Sequence, residues 1–329
     1  MEDRGRDSEK AERDITKKMK SQEIKDILSG SLFEGELRFM EPMSSHTSLK
    51  IGGSADIYAV PQDLTSLINL YLNLSKDHIP ICPLGSGTNL LVRDGGIEGC
   101  VVSLRSFKKI MTVKEEDERV LVSADAGVLL QKLLHYAKEN GYSGIEGLAG
   151  IPGTIGGAIF GNAGAFGYEM KDVIHSVDVL DEKGKMTRVR SNEILFNYRR
   201  SGILPGRLII GSEIRLKKDK KEDVSERTAD FLKAKKERQP LWEPSAGCVF
   251  KNPEGFAAGK LIDEAACKGL RVGDVEVSNI HANFFVNRGK AKAADFIKLM
   301  EVVSYRVKKK YGVVLEPEIW IMGRDESSD

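Results

Sequence analysis

The chain is short of the residues that usually announce chemistry. It has 329 residues, with four cysteines and five histidines. Cys82, Cys100, Cys248 and Cys267 form no CxxC pair and no HExxH occurs, so neither a dithiol couple nor a metal site is expected. The 50 basic and 49 acidic residues cancel to a net charge of +1, which leaves no global field for nucleic acid or a membrane surface. No apolar run opens the sequence, so no signal peptide is read, and reduced thiols in a cytoplasmic protein are the expectation. The familiar phosphate fingerprints are missing too. No GxxxxGK[ST] occurs, and in Gly85-Ser86-Gly87-Thr88-Asn89-Leu90 a leucine holds the place of the third glycine of G-x-G-x-x-G.

What is present is glycine in one place. Between Gly147 and Gly167 the sequence reads GLAGIPGTIGGAIFGNAGAFG, with eight glycines in 21 residues and no charge, where average usage gives about 1.5. Glycine permits positive φ and lets another group approach the backbone closely. A flexible linker would be polar, whereas this segment carries Ile151, Ile155, Ile159, Phe160 and Phe166. A membrane helix would need more large apolar residues and would not hold Pro152 and Asn162. The remaining plain reading is a cluster of turns that only packs. Two further loops argue against it: Gly85 to Leu90 after the apolar run Ile79 to Cys82, and Gly52-Gly53 in TSLKIGGSA. Three glycine-bearing loops beside strands fit one large phosphate-bearing ligand.

The length predicts two or three domains. Residues 1–23 are dense in mixed charge and read as a tail, as do 324–329. A first lobe is expected over 24–99, with Asp63 capping a helix that carries Leu64, Leu67, Ile68 and Tyr71. A second is expected over 100–216, with a helix at Leu130 to Ala137 stopped by Gly141 and a hairpin around Glu182-Lys183-Gly184. A third is expected over 217–323, beginning at the charged run KKDKKED, with three helices and strands at 282–287 and 313–322. The fold class is α+β.

Three side chains invite chemistry, each with a plainer alternative. Glu318 follows Pro317 in LEPE and so sits on extended backbone, but a strand-edge glutamate is usually only solvated. Arg199 in NYRRS could pair with carboxylate or phosphate, but most arginines simply face water. Cys248 lies among small residues in PSAGCVFKNP and could be an inert buried thiol.

Taken in order, TSLKIGGSA, PLGSGTNLLV, the long glycine segment, FNYRRSG, QPLWEPSAGCVFKNP, HANFFVN and LEPEIWIMG closely resemble the UDP-N-acetylenolpyruvoylglucosamine reductase family over roughly residues 38–323. These are flavoenzymes of peptidoglycan precursor synthesis. The resemblance implies a two-lobed FAD-binding part of the vanillyl-alcohol-oxidase type and a C-terminal α+β substrate-binding domain. It implies non-covalent FAD and NADPH as co-substrate. Only about ten residues separate Arg199 from the strand at Leu208, so the chain resembles the shorter subfamily, without the tyrosine-bearing insertion. By motif position, Arg199 matches the arginine on the substrate carboxylate and Glu318 the neighbouring acid. Cys248 falls where most members carry a proton-donating serine. The resemblance assigns cofactor contacts to Gly52, Gly53, Gly85, Ser86, Gly87, Thr88, Asn89 and Leu90. It assigns them also to Ile151, Pro152, Gly153, Thr154, Gly156, Gly157, Gly161, Asn162 and Gly164. Substrate contacts go to Tyr198, Arg238 and Asn252. The implied partner is a nucleotide sugar, and a monomer is expected. Another FAD oxidoreductase of the same fold, or a catalytically silent nucleotide-sugar binder, remains the alternative.

Overall fold

The computed structural model describes residues 33–203 and 207–326. The tail expected over 1–23 lies outside the described residues, as does the end of the closing tail from 327.

The first lobe begins with β1 (Gly35–Pro42) antiparallel to β2 (Ser54–Pro61). Asp63 accepts from the amide of Ser66 at 2.8 Å and starts α1 (Leu64–Lys76), which buries Leu67, Leu70, Tyr71 and Leu74 as one stripe. β3 (Ile81–Leu84), β4 (Leu90–Val92) and β5 (Ile97–Ser103) follow. The sheet order is β1-β2-β5-β3, with β5 parallel to both β2 and β3. β4 leaves this sheet and carries the glycine loop between β3 and itself.

The second lobe is built from β6 (Ile110–Glu115), β7 (Arg119–Asp125), α2 (Leu130–Asn140) and β8 (Tyr142–Ser143). α3 (Ile155–Phe160), β9 (Gly164–Ala165) and β10 (Tyr168–Glu169) come next. β11 (Ile174–Leu180), β12 (Met186–Arg190) and β13 (Leu208–Lys218) complete it. Gly141 takes φ +66° at the end of α2, as its position predicts. Asp181 Oδ1 accepts from the amides of Lys183 and Lys185, closing the expected hairpin. The antiparallel order is β12-β11-β13-β7-β6, with β8 on β13. Ile57, Leu67 and Val102 of the first lobe share one interior with Val122, Leu133, Ile159, Val177 and Ile214 of the second. The glycine segment therefore rests on a core common to both lobes.

The third region holds α4 (Lys221–Arg238), β14 (Ser245–Cys248), α5 (Ala258–Glu264), β15 (Arg271–Val272) and β16 (Val275–Val277). β17 (Phe284–Asn287), α6 (Ala293–Tyr311) and β18 (Trp320–Met322) follow. Its sheet runs β14-β17-β16-β15 over a separate core of Phe250, Ile262, Phe285, Phe296 and Val303. Three sequence expectations change. The boundary near Lys217 falls inside β13, where Lys217 pairs with Arg119 and Ser143. α4 then packs Phe231 and Leu232 on the core of the two lobes, and Arg227 pairs with the buried Glu146 at 2.7 Å. The strand expected over 313–322 shrinks to β18: Pro317 has no amide to give a ladder and makes only an isolated bridge to Phe250.

β18 runs parallel to β4, which ties the third domain back to the first lobe. Both oxygens of Asp94 accept the first amides of α6, from Ala293 at 2.8 Å and Ala294 at 2.9 Å. A cap of this kind holds about 0.5–2 kcal/mol. Ser48 Oγ donates to the carbonyl of Ser245 at 2.6 Å. Among the described residues no helix is long and apolar enough to cross a membrane.

Candidate active site

Two of the three glycine loops face each other. Thr88 Oγ1 donates to the carbonyl of Pro152 at 3.2 Å. A Cβ added to Gly85 would stand 2.8 Å from Thr154 Oγ1. The second loop turns into α3 although Gly156 and Gly157 are poor helix formers, because Thr154 caps it by accepting from Gly157 at 3.4 Å. On the solvent side of α3, a Cβ on Gly157 would meet only Thr154 Oγ1 at 3.6 Å, and one on Gly161 only the carbonyl of Gly157 at 3.5 Å. These glycines leave an open trough whose floor is bare backbone. Gly153 (φ +133°) lies at its end, facing Thr88. An adjoining cavity of about 330 Å³ is lined by His46, Thr47, Gly85, Ser86, Ser103 and Arg105.

Other glycines in the expected set pack against the chain itself. At Gly53 an added Cβ would clash with the Asp94 carbonyl at 2.1 Å, and its amide is spent on Arg93. Gly52 lies against Val92 and Met43, and Gly87 against the carbonyl of His46. Gly52 and Gly53 therefore pack against the protein itself, while Thr47 of the same loop lines the adjoining cavity. The Gly156 amide donates to Ala126, and an added Cβ would stand 3.0 Å from that residue's side chain. The Leu90 side chain is buried in the first lobe, and Ile151 packs on the shared core. Asn162 is fully buried at φ +41°, and its side chain is committed within the protein. Its Nδ2 donates to Glu169 and to the carbonyl of Asn197, and its Oδ1 accepts from Lys171. A Cβ on Gly164 would clash with the Tyr168 carbonyl at 2.7 Å and with Glu169 at 2.8 Å, and would come within 3.2 Å of Arg199 Nη1.

Past the end of α3, Asn197 and Arg200 exchange backbone hydrogen bonds at 2.8 and 3.2 Å, a tight turn that forces Arg199 to φ +58°. A non-glycine residue held in this region is strained, and such strain gathers at functional sites. Asn162 grips the turn at Asn197, and Ser201 grips it through the carbonyl of Phe160. Arg199 is thereby pointed at Glu318: Nε donates to Oε1 at 2.8 Å. The Tyr198 ring lies 4.9 Å from the same guanidinium. Glu318 is held by its own amide, which donates to Val249, and by Asn89 Nδ2, which donates to its carbonyl at 3.2 Å. Burial pushes the Glu318 carboxyl up, and Arg199 pulls it partly back.

Cys248 arrives from the other side. Ser245 pairs with Val286 and Cys248 with Phe284, so β14 carries one residue more than its partner over this stretch. Such a bulge re-aims a side chain, and here Cys248 leaves the core that receives its neighbours Ala246 and Val249. The buried Asn283 fixes the next residues, taking the amide of Phe250 at 3.0 Å and giving to its carbonyl at 2.7 Å. Burial, then the negative charge of Glu318, push the Cys248 thiol up to about 12 against the pull of Arg199 and Lys235. Arg199, Glu318 and Cys248 thus share one electrostatic neighbourhood.

Lys235 was hidden in the sequence inside the charged helix AKKER. It is 6% exposed, its stem covers Gly150, and its ammonium lies 5.9 Å from the Phe166 ring. Burial pushes its pKa down to about 8. Tyr198 is exposed beside Arg199. Arg238 is exposed at the end of α4, and Asn252 uses Oδ1 to accept from Ala258 at 2.9 Å.

This geometry has known counterparts. Residues 55–190 match an FAD-binding domain, and residues 239–322 match the C-terminal domain of UDP-N-acetylenolpyruvoylglucosamine reductase. The protein of that name from Caldanaerobacter subterraneus subsp. tengcongensis is 43% identical over 300 residues, spanning 91% of this chain and 97% of its own length. That from Syntrophus aciditrophicus is 40% identical over 295 residues, with 90% and 95% covered. The chain belongs to the UDP-N-acetylenolpyruvoylglucosamine reductase family. The crystal structure of the Thermus caldophilus reductase superposes with a TM-score of 0.75 at 34% identity, covering 89% of this chain and all of that one. The reductase fold here is α+β, an FAD-binding part followed by the reductase's C-terminal domain. FAD is the cofactor and NADPH the co-substrate. The trough fits such a group, because the backbone at Gly157 and Gly161 is bare where a dinucleotide must approach closely.

Proposed function

We propose that this chain reduces UDP-N-acetylglucosamine enolpyruvate to UDP-N-acetylmuramate, and that Arg199, Glu318 and Cys248 carry the steps on the substrate. The observation behind the reading is the convergence of these three side chains beyond the open glycine trough. When bound, FAD supplies hydride chemistry, from NADPH to the terminal vinyl carbon. That addition leaves charge on the enolpyruvyl carboxylate. Glu318 occupies Nε of Arg199, which leaves the outer edge of the guanidinium for that carboxylate. Cys248 then gives its proton to the carbon next to the carboxylate, completing the lactyl ether. A thiol pushed up to about 12 is still a far stronger acid than the C–H bond it forms. Gly85, Gly153, Thr154, Gly157 and Gly161 would flank the cofactor. Tyr198, and more distantly Arg238 and Asn252, would meet the nucleotide sugar.

The charge balance and this substrate class fit a cytoplasmic monomer that binds neither nucleic acid nor membrane. Sedimentation of the purified holoenzyme checks the monomer. The function itself is tested by colour. The protein should purify yellow, bleach with NADPH and regain its absorbance when the enolpyruvyl nucleotide is added. Bleaching without recovery would favour another FAD oxidoreductase, and a colourless protein that binds the nucleotide sugar would favour a silent binder.

A further inference from the structure

Two large rings remain uncovered at the junction of the trough and the catalytic cluster. Trp320 is 38% exposed and Phe160 is 40% exposed, although their rings are already packed on each other with centroids 5.0 Å apart at 45°. Each is fixed by the machinery around it. The Trp320 amide donates to the carbonyl of Asn89 in the first glycine loop at 3.0 Å. The Phe160 carbonyl accepts from both the amide and the hydroxyl of Ser201, next to the turn that carries Arg199.

Direction follows from periodicity. Ile319 and Ile321 pack on the core of the third domain, so Glu318 and Trp320 share the opposite face of the extended segment. Glu318 meets Arg199 from that face. On α3, Phe160 lies three residues after Gly157 and just before Gly161, on the side where both glycines are bare. The aromatic pair therefore adjoins the bare glycine face through Phe160 and the Arg199–Glu318 pair through Trp320. A dinucleotide whose pyrophosphate lies on that floor must carry its reactive ring past this pair to reach the substrate carboxylate.

We propose that the indole of Trp320, backed by Phe160, packs against the isoalloxazine ring of bound FAD. This rests on the trough being the flavin site. An exposed indole meeting a planar heteroaromatic ring suits offset or tilted packing. The chain has two tryptophans, and the other, Trp242, is 69% exposed in the segment before β14.

The test uses emission of the bound flavin in the holoenzyme. An excited flavin loses its emission by taking an electron from an indole in contact, and a phenyl ring does not provide one. Measurements are made in a Tyr198→Phe background, so that the neighbouring phenol does not mask the effect. Trp320→Phe should raise FAD emission several-fold, while Trp242→Phe leaves it unchanged. Trp320→Ala should also weaken FAD binding to the apoprotein by roughly 2–10-fold, the equivalent of one aromatic contact. Unchanged emission in Trp320→Phe overturns the proposal. So does a change seen only when UDP-N-acetylmuramate is added, which would turn the indole toward the substrate. Failure of the underlying site is separate, because Gly157→Val would then bind FAD normally.

Discussion

Glu318 holds Arg199 by one edge. Nε donates to Oε1 at 2.8 Å, and among the described residues no other carboxylate pairs with that guanidinium. The outer nitrogens are thus presented, and the strained turn at φ +58° leaves the side chain little freedom to look elsewhere.

Arg199→Lys should separate the two half-reactions. Lysine keeps the charge but loses the planar fork, so it cannot bond Glu318 and a carboxylate together in the same geometry. Bleaching by NADPH should stay close to the parent rate, and recovery with the enolpyruvyl substrate should slow by about 10²–10³-fold, the usual scale for losing one preorganised donor. Stopped-flow absorbance of the flavin reads both. An equal loss in each would make Arg199 a structural residue.

Gly157→Val should give a folded, colourless protein. The chain itself has room, since only Thr154 Oγ1 lies near an added Cβ, at 3.6 Å. The branched side chain would instead stand where the cofactor meets backbone. Normal circular dichroism with loss of the flavin spectrum is the expected pair of results, and a fully loaded Gly157→Val chain would remove the trough from the site.

The site was legible in the sequence where chemistry depends on rare residue patterns. The glycine segment, the NYRRS turn and LEPE all led to residues that the fold brings together. Glycines were harder to sort. Gly53 and Gly157 look alike in a sequence, yet one lies 2.1 Å from a carbonyl oxygen and the other opens to solvent, a difference made by the tertiary neighbour alone. The resemblance implies a cofactor contact at Asn162, and the fold adds that its buried side chain clamps the arginine turn. Lys235 left no signal, since one lysine in a charged helix gives no hint of which one the fold encloses. The boundary at Lys217 followed charge, but β13 ends in exposed lysines because its last residues lie at the sheet's rim.

Lys235 should make stability depend on pH. Its ordinary value of 10.5 falls to about 8 on folding because burial disfavours the ammonium. The unfolded chain therefore binds more protons between pH 8 and 10.5, and this group's contribution to stability rises across that window. Below pH 8 the penalty of the buried charge is constant. Compared with Lys235→Met, the parent should gain on the order of 2 kcal/mol between pH 7.5 and 10.5. Urea titrations of both chains measure it, and taking the difference cancels the cysteines and tyrosines that titrate in the unfolded state. Parallel curves would mean that the ammonium is well solvated.

Cys248 is the residue whose chemistry differs most from its local appearance. Burial and the Glu318 carboxylate push its thiol up to about 12, so very little thiolate exists at neutral pH. A nucleophile would be disabled by this, whereas a proton donor is not, because it works from the protonated form. Iodoacetamide should therefore alkylate Cys248 slowly at pH 7 to 8, far more slowly than an exposed thiol, and the rate should climb steeply above pH 10. Bound UDP-N-acetylmuramate should slow it further. Cys248→Ser should stay active, since a hydroxyl also supplies a proton. Cys248→Ala should keep its fold and lose about 10²–10⁴-fold in turnover, the range for a positioned general acid. The loss should appear in the substrate half-reaction and leave bleaching by NADPH intact. If Cys248→Ala turns over like the parent, the proton comes from another group. Glu318 is then the candidate, because burial raises its carboxyl and so favours the protonated form, against the pull of Arg199.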